Sequence, residues 1–338
     1  MIPELRKDLV SGDWIVISPN RKKRPEQFKR SEKTKKVLKK DCRFEDLKKI
    51  NPEGPILIYP LTYEVGAGIY GAKKWQLAVI ENKYPAFSHK KMLCPVLDKC
   101  GPYQTLKAIG HHELVVTRNH NNNFPKLSEN EARQVFQAFR DRYLMFLTDK
   151  CVEYVSIFHN WGAKAGASVY HPHYQIIAMP VVPPDVSHSL KGSDSYFKEH
   201  KKCVHCVMID WEIKNKNRVI FENEGAIAFA PFVSREPFEI RIFPKKHLPY
   251  FENTLDSDMN YVVDALKMSL KKLEKNLKNP DYNFFLHTSP IQNKEKHSHY
   301  HWHIEIIPKT TIKAGFELGT GMEINIVDPN EAARILRK

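Results

Sequence analysis

The chain has 338 residues, of which 42% are hydrophobic and 27% charged, so it can bury the cores of two domains or of one large domain. Its apolar runs stay below the roughly 18 residues that a membrane span requires, and the start MIPELRKDLV lacks the apolar segment of a secretory signal. We therefore expect a cytoplasmic protein without a membrane partner. The formal net charge of +14 favours anionic ligands. Because the lysines stand in local runs without interleaved aromatics, no specific nucleic-acid partner is predicted.

Short apolar runs predict the strands of the first half, and one longer pattern predicts a helix. The helix covers 129–147, with Ser128 as its N-cap. The basic stretch 20–40 is expected to be a loop. Residues 181–202 are rich in proline, serine and lysine, which is typical of a linker. The predicted strands of this half are 14–18, 56–59, 76–80, 113–117, 154–158 and 174–179.

The second half repeats this order of elements. "ELVVTRNH", ending at His120, parallels "FEIRIFPKKH", ending at His247, and "HPHYQIIAMP" parallels "HWHIEIIP". The pattern predicts a duplicated α+β fold, with domains at 1–180 and 203–338, each an antiparallel sheet with helices packed on one side. The elements expected in this half are strands at 218–221, 226–229, 238–243, 283–286 and 303–307 and a helix at about 258–276.

Cysteines and histidines at equivalent positions of the two halves predict metal sites. In the second half Cys203 and Cys206 are separated by two residues, as reduced thiols that bind metal are, and His247 and His301 complete a four-ligand set. Two thiolates and two imidazoles form the closed tetrahedral shell of a structural zinc ion.

The first half holds a weakened version of the same set. Cys42, His120 and His171 are present, but a carboxylate, Glu45 or Asp46, stands where a second cysteine would. A carboxylate can ligate zinc, so this site can survive with altered affinity. The zinc site of the second half is the more secure of the two.

Two histidines, His171 and His173, flank Pro172 at the start of a predicted strand. At positions i and i+2 of an extended strand the two rings face the same side. A neutral imidazole can attack phosphorus to form a covalent intermediate. Two buried structural histidines, or two metal ligands without catalysis, would give the same pattern, so the residues alone leave these alternatives open.

The segment before these histidines, NWGAKAGAS at 160–168, is small and contains glycine, so its backbone can approach a ligand closely. Together with Ser168 and Gln175 it predicts a cradle for phosphate beside His173.

Five segments carry a resemblance to one family: ELRKDLVSGDWIVISPNRKKRPEQF, AVIENKYPAF, NWGAKAGASVYHPHYQ, HWHIEIIP and KAGFELGTGMEINIVDPNEAARILR. Through them nearly the whole chain resembles the galactose-1-phosphate uridylyltransferase family, the transferase branch of the histidine-triad superfamily. The resemblance implies two tandem histidine-triad-like domains and a homodimer with composite active sites. It also implies a ping-pong transfer of UMP or AMP from a nucleotide sugar to a sugar 1-phosphate, through a nucleotidyl-histidine.

The resemblance also implies roles for individual residues. His173 matches the nucleophile, and His171 matches a zinc ligand whose carbonyl orients His173. Positions expected at the phosphates are Ser168, Gly166, Asn160 and Gln175. Arg21 and Arg24 are expected at the diphosphate, and Asn82 and Tyr84 at the nucleoside. Lys313, Phe316 and Glu317 are expected at the hexose phosphate.

The amide at Gln175 favours a transferase over a hydrolase. Hydrolases of the superfamily have a third histidine there, which can protonate a poor leaving group. An amide does not act as a general base for water, so a covalent intermediate would survive until an acceptor arrives. Nucleotide-sugar and dinucleoside-polyphosphate phosphorylases share the nucleophile motif. The base, the sugar and the acceptor therefore remain open, and a non-catalytic nucleotide sensor is the alternative of another class.

Overall fold

The structure is a computed structural model that describes residues 2–23, 36–60, 75–89 and 94–338. Its strands are β1 Glu4–Lys7, β2 Trp14–Ile17, β3 Leu57–Pro60, β4 Trp75–Glu81, β5 Leu97–Cys100, β6 Tyr103–Leu106, β7 His111–Thr117, β8 Tyr154–Trp161, β9 His173–Met179, β10 Val219–Glu222, β11 Ala226–Phe229, β12 Ile240–Pro244, β13 Tyr282–His287, β14 His303–Pro308 and β15 Ile324–Asn325. Its α-helices are α1 Leu47–Ile50, α2 Glu129–Phe146, α3 Pro184–His200, α4 Val204–Asn215, α5 Asp256–Asn276, α6 Gly315–Thr320 and α7 Pro329–Leu336. Short 3-10 helices lie at Pro19–Lys23, Lys39–Asp41, Arg43–Glu45, Phe124–Lys126, Ala163–Ala165, Phe251–Asn253 and Lys294–His297.

Ten strands form one antiparallel sheet in the order β10-β11-β12-β14-β13-β8-β9-β7-β4-β3. At the centre of the sheet β8 of the first half pairs with β13 of the second half. Each half contributes five strands, and strands at equal distances from the centre occupy equivalent positions in the two halves. The predicted duplicated α+β fold is therefore confirmed. The two five-stranded units join edge to edge, which covers one edge strand of each.

Helices α2 and α5 cover one face of this sheet. Both present an apolar stripe, and Phe136 and Phe139 of α2 are as completely buried as Leu266 and Leu270 of α5. As predicted, Ser128 caps α2: its hydroxyl accepts from the Glu131 N–H while the Glu131 carboxylate accepts from the Ser128 N–H. One continuous core thus spans both halves.

The opposite face of the sheet carries the polar side chains of interest. Leu114 and Val116 of β7 point to this face and pack under Phe44, which lies in the short 3-10 helix Arg43–Glu45. In the second half, α4 covers the same face through Ile209, so the helices of that half do not all lie on one side of its sheet.

The predicted linker 181–202 contains the helix α3. Val186 and Leu190 are buried against Tyr154 and Tyr300, and the polar residues that suggested a linker belong largely to the other faces of the helix. Pro184 opens the helix, where its missing N–H costs nothing. The segment joins the halves as a packed helix and not as a loop.

The first residues of the chain are attached to the last ones. β1 pairs with β2, and β15 pairs in parallel with β2. Arg6 makes an ion pair of 2.7 Å with Asp328 and donates to the Phe232 carbonyl. The domain bounds 1–180 and 203–338 stay a prediction, and they do not include this return of the N-terminal strands to the second half.

Two further features of the fold are a disulfide and the character of its helices. Cys94 and Cys151 form a disulfide, a pairing that no sequence motif predicted. Among the described residues, no helix is long and apolar enough to cross a membrane.

Candidate active site

His173 lies at the first position of β9, where β7, β8 and β9 adjoin. The residue is 7% exposed, and its Nδ1–H donates to the His171 carbonyl at 2.9 Å, the contact that the family resemblance implied. Burial lowers the pKa of His173, so the neutral ring predominates near pH 7. The proton resides on Nδ1, and Nε2 therefore carries a lone pair.

This lone pair is uncommitted. Among the residues that the structure describes, His173 Nε2 makes no hydrogen bond, and His173 belongs to none of the groups that could hold a metal ion. His159 on β8 fixes the backbone of His173, because its Nδ1–H donates to the His173 carbonyl at 2.8 Å. Burial lowers the pKa of His159 to about 3, which keeps that ring neutral as well. The arrangement suits a nucleophile.

The loop that precedes His173 is fastened by two residues of the second half. Asn283 on β13 donates to the Asn160 side-chain oxygen at 2.7 Å and to the Ala165 carbonyl at 2.8 Å. Asp281 accepts from the Lys164 N–H at 2.8 Å. It also lies where a side chain at Gly162 would stand, about 2.1 Å from a built Cβ. Glycine is therefore required there, both for space and for its positive φ of 87°.

The remaining cradle residues have the exposure that a ligand would need. Gly166 has a positive φ of 87° and ends the short helix before the loop. Ser168 is exposed on this loop. Gln175 follows His173 on the same face of β9, and its Oε1 lies 2.9 Å from His112 Nε2. Three of the predicted phosphate contacts thus lie on or beside one loop.

The predicted nucleoside residues lie next to Gln175. The Asn82 amide nitrogen is 3.1 Å from His112 Nε2, and the Asn82 oxygen accepts from the Tyr84 N–H. The Tyr84 ring is 74% exposed at this rim. His112, which links the two groups, is a functional residue that the sequence did not predict. Its signal was weak, because "GHHEL" reads as the polar start of a strand.

The hexose-phosphate residues Lys313 and Glu317 and the diphosphate residue Arg21, as predicted from the sequence, lie in a separate cleft. Arg21, Lys313 and Glu317 line it together with Glu236 and Glu323, and Lys313 forms an ion pair with Glu323. The lining of this cleft includes none of the residues around His173. Phe316 is exposed on the neighbouring helix α6, and Arg24 lies outside the described residues. The structure thus divides the predicted site residues into two groups.

The first metal group brings Cys42, His120 and His171 together, as predicted. The His171 Nδ1 lies 3.4 Å from the Cys42 sulfur and 3.2 Å from the His120 Nδ1. The Nε2–H of His171 donates to the Thr117 carbonyl, and that of His120 donates to the Val37 carbonyl. Both Nδ1 lone pairs therefore face the same point, and without a cation between them they repel each other. Donation of the other ring N–H to a carbonyl is typical of metal-bound histidines.

Of the two carboxylates considered for this group, Glu45 has the better position. Its Oε1 lies 3.8 Å from His120 Nδ1 and 4.0 Å from His171 Nδ1, and it is buried without a hydrogen bond. Its other oxygen accepts from Arg118 at 2.8 Å. Asp46 is exposed and precedes α1. Cys42, His120 and His171 fit a cation, and Glu45 lies near enough to be the candidate for a fourth ligand.

The second metal group is complete with Cys203, Cys206, His247 and His301. The Nδ1 atoms of both histidines lie 3.3 and 3.5 Å from the Cys206 sulfur. Their Nε2–H groups donate to carbonyls, those of Ser298 for His247 and Pro244 for His301. The geometry repeats that of the first group.

The repeat-equivalent of His173 is His303, and its environment differs. Its Nδ1–H donates to the His301 carbonyl at 3.1 Å, but its Nε2 lies 3.5 Å from Glu305. Glu305 is also paired with the buried Arg241 at 3.0 Å, and the His287 ring stacks on His303. Buried charges enclose this second imidazole, which is consistent with a structural role.

A large apolar cavity of about 1050 Å³ lies beside Cys206 and His247, with Trp211 and Phe232 in its wall. It does not include His173. Its size alone therefore does not make it the reaction site.

The doubled sheet thus carries a neutral imidazole, uncommitted among the described residues, beside a glycine-bearing loop, which is the arrangement that the family resemblance implies. A family model described as "Galactose-1-phosphate uridyl transferase, N-terminal domain" matches residues 1–183. A second model, of a domain of unknown function, matches residues 105–337.

Two characterised relatives cover nearly the whole chain. ADP-glucose phosphorylase from Arabidopsis thaliana is 34% identical over 339 residues, 99% of this chain and 93% of that protein. Galactose-1-phosphate uridylyltransferase from Thermotoga maritima is 28% identical over 344 residues, 99% of this chain and 98% of that protein. A crystal structure of the Arabidopsis enzyme with bound ADP-glucose has a TM-score of 0.81 at 32% identity, covering 100% of this chain and 99% of that chain.

The chain therefore belongs to the galactose-1-phosphate uridylyltransferase family. It is an enzyme of the nucleotidyltransferase type.

Proposed function

We propose that this enzyme transfers UMP or AMP between a nucleotide sugar and a phosphate acceptor through a covalent nucleotidyl-His173. The observation that carries the proposal is the state of His173 Nε2, which is unprotonated and uncommitted among the described residues. The Arabidopsis relative was crystallised with ADP-glucose, which supports a nucleotide sugar as donor.

The first step needs no added acid or base. The Nε2 lone pair attacks the α-phosphorus, and the bond from that phosphorus to the bridging oxygen of the sugar phosphate breaks. The sugar 1-phosphate leaves with the electron pair as a weakly basic anion. The positive charge that develops on the ring is stabilised by the Nδ1–H donation to the His171 carbonyl.

The second step reverses the first with a new acceptor. An acceptor phosphate oxygen attacks the α-phosphorus, the P–N bond breaks, and its electron pair returns to Nε2. Gln175 supplies a hydrogen-bonding amide beside the phosphorus and does not deprotonate water. The loop held by Asp281 and Asn283 supplies backbone N–H groups to the phosphate oxygens.

We infer that both metal groups hold zinc, since soft thiolates and imidazoles are its preferred ligands. Bound zinc would fix His171, whose carbonyl orients His173, and in the second half it would fasten α4 to β14. Each ion has a structural role, because the shells leave no open position for substrate.

Replacing Glu45 by alanine should lower the metal affinity of the first group at least about tenfold, because a direct ligand contributes no less than its outer-shell partners do. Metal content measured after dialysis against a competing chelator should fall by about one ion per chain. Asp46→Asn is the matched control and should keep full metal content. Equal losses in both variants would contradict the assignment of Glu45 as ligand.

The separation of the two groups of site residues supports a composite site in a homodimer, in which Lys313 of one chain serves His173 of the other. We expect His173→Asn and Lys313→Ala to be inactive separately. After subunit exchange, about a quarter of the wild-type activity should return, since half of the dimers are mixed and each has one intact site. No recovery despite proven exchange would contradict the composite site.

The second candidate function is a phosphorylase, in which inorganic phosphate is the acceptor. The higher identity to the Arabidopsis phosphorylase, 34% against 28% for the bacterial uridylyltransferase, favours it. The chemistry at His173 is the same in both cases.

The test is a substrate screen. The protein is incubated with radiolabelled UDP-glucose or ADP-glucose, and an acid-labile, base-stable label on the protein identifies the base. The labelled protein is then chased with galactose 1-phosphate, glucose 1-phosphate or inorganic phosphate, and the acceptor that removes the label fastest identifies the reaction. Absence of label with every nucleotide sugar would overturn the proposed function.

A further inference from the structure

His112 connects the predicted nucleoside residues to the predicted phosphate residues. It lies on β7 and on the same sheet face as Leu114 and Val116, and its ring is half-buried. The loop 82–86 is wound around it. The Asn82 N–H donates to the His112 carbonyl at 2.8 Å, and the Ala86 N–H donates to the His112 Nδ1 at 3.1 Å.

The contact from Ala86 fixes the tautomer of this ring. A backbone N–H can only donate, so His112 Nδ1 must carry a lone pair. The proton of the neutral ring then resides on Nε2. This atom has two neighbours, Gln175 Oε1 at 2.9 Å and Asn82 Nδ2 at 3.1 Å, and only the first is an acceptor. The His112 Nε2–H therefore donates to Gln175.

The donation fixes the orientation of the Gln175 amide. With its oxygen bound to His112, Gln175 must direct its NH₂ group away from that ring. Within the described part of the chain this NH₂ has no acceptor. Gln175 shares a strand face with His173, two residues away, so the NH₂ is available to a phosphate oxygen on the phosphorus that Nε2 attacks. The opposite amide orientation would present an oxygen to the anionic phosphate and repel it.

The Asn82 amide is oriented in the same way. Its oxygen accepts from the Tyr84 N–H at 3.0 Å, and its NH₂ meets a ring nitrogen that already carries a proton. The Asn82 NH₂ therefore finds no acceptor at His112 and is left for a ligand. One neutral ring thus determines which atoms of two amides face the substrate.

We propose that His112 is a positioning residue for nucleotidyl transfer. Held as the Nε2–H tautomer by Ala86, it turns the Gln175 amide so that an NH₂ group, and not an oxygen, meets the phosphate beside His173. This inference rests on the proposed function for the identity of the phosphate. Its structural part, the tautomer and the amide orientation, does not depend on which nucleotide sugar is used.

Two substitutions separate the roles of the two ring nitrogens. His112→Asn can keep an acceptor for the Ala86 N–H but has no donor at the Nε2 position. His112→Gln is longer and can place an NH₂ donor near Gln175 Oε1. We expect the single-turnover rate of nucleotidylation to fall about 10–100-fold in His112→Asn, and His112→Gln to recover it to within about threefold.

A double-mutant cycle tests whether the effect passes through Gln175. In a Gln175→Ala background, His112→Asn should change the nucleotidylation rate by less than about twofold, because the group that it positions is gone. If the two effects multiply, His112 acts by another route and the proposal is overturned. A merely structural role would lower thermal stability in both backgrounds and would not be recovered by His112→Gln.

The tautomer is measured on the resting enzyme, independently of any reaction. Nitrogen-15 NMR of protein labelled in its histidine rings, with the His112 signals assigned by their loss in His112→Asn, should show a protonated Nε2 and an unprotonated Nδ1. A protonated Nδ1 would overturn the proposal even if the enzyme is active. Absence of protein labelling in the wild type would instead overturn the proposed function. The tautomer of His112 would still be decided by the NMR measurement alone.

Discussion

His173→Ala is expected to lower the rate of protein nucleotidylation by at least about 10⁴-fold, to the background of the assay. The reason is that Nε2 is the atom that forms the bond to phosphorus, and an alanine side chain has no lone pair to replace it. The measurement is quenched-flow labelling with the nucleotide sugar identified by the substrate screen.

His303→Ala is the matched control for this substitution. His303 occupies the equivalent position in the second half and has the same Nδ1–H donation to a carbonyl two residues before, but its Nε2 faces Glu305, which is paired with Arg241. We expect this variant to keep the nucleotidylation rate within about threefold. Persistent labelling in His173→Ala, or loss of labelling in a folded His303→Ala, would assign the nucleophile to another residue.

Loss of the second metal site should be the largest effect on stability. Cys203→Ser removes one sulfur of the four-residue group, so the proposed zinc ion would no longer fasten the start of α4 to the loop before β14. A ligand held at 1,000 times its dissociation constant contributes about 4 kcal/mol to folding, so the free energy of unfolding should fall by about that amount. Urea denaturation together with elemental analysis measures both quantities.

Cys100→Ser provides the control for that experiment. Cys100 is a free, exposed cysteine at the end of β5 and belongs to no metal group among the described residues. Its replacement should leave the metal content unchanged. The free energy of unfolding should change by no more than about 0.5 kcal/mol. An unchanged unfolding free energy in Cys203→Ser, despite full loss of zinc, would show that the ion is dispensable for the fold.

Much of the fold could be predicted because local patterns and global structure agree. The alternation of apolar residues identified the strands, and Ser128 with Glu131 marked the start of α2. The doubled order of motifs predicted the doubled sheet. The metal groups could be predicted because their ligands recur at equivalent positions in both halves.

Features that depend on contacts between the halves could not be predicted in this way. Asp281 and Asn283 fasten a loop more than 110 residues earlier in the chain, and neither belongs to a motif. The helix α3 was missed because its buried residues, Val186 and Leu190, are few among many polar ones. Helix propensity and a two-residue apolar stripe do not reveal a helix that is stabilised by tertiary packing.

The site residues likewise divide into those that a sequence motif predicts and those that depend on three-dimensional contacts. His173 could be recognised from its motif, but the role of His112 depends on which ring nitrogen meets a backbone N–H, and no sequence pattern specifies this. The choice between Glu45 and Asp46 likewise required the distances to His120 and His171.

The central claim is that His173 Nε2 bonds directly to the α-phosphorus of a nucleotide. The most direct measurement is phosphorus-31 NMR of the isolated intermediate, with mass spectrometry of its proteolytic peptides to locate the modification. We expect one phosphoramidate signal, on the peptide that contains His173 and through Nε2. Turnover without any phosphorus–nitrogen bond, or a nucleotide on another side chain, would contradict it.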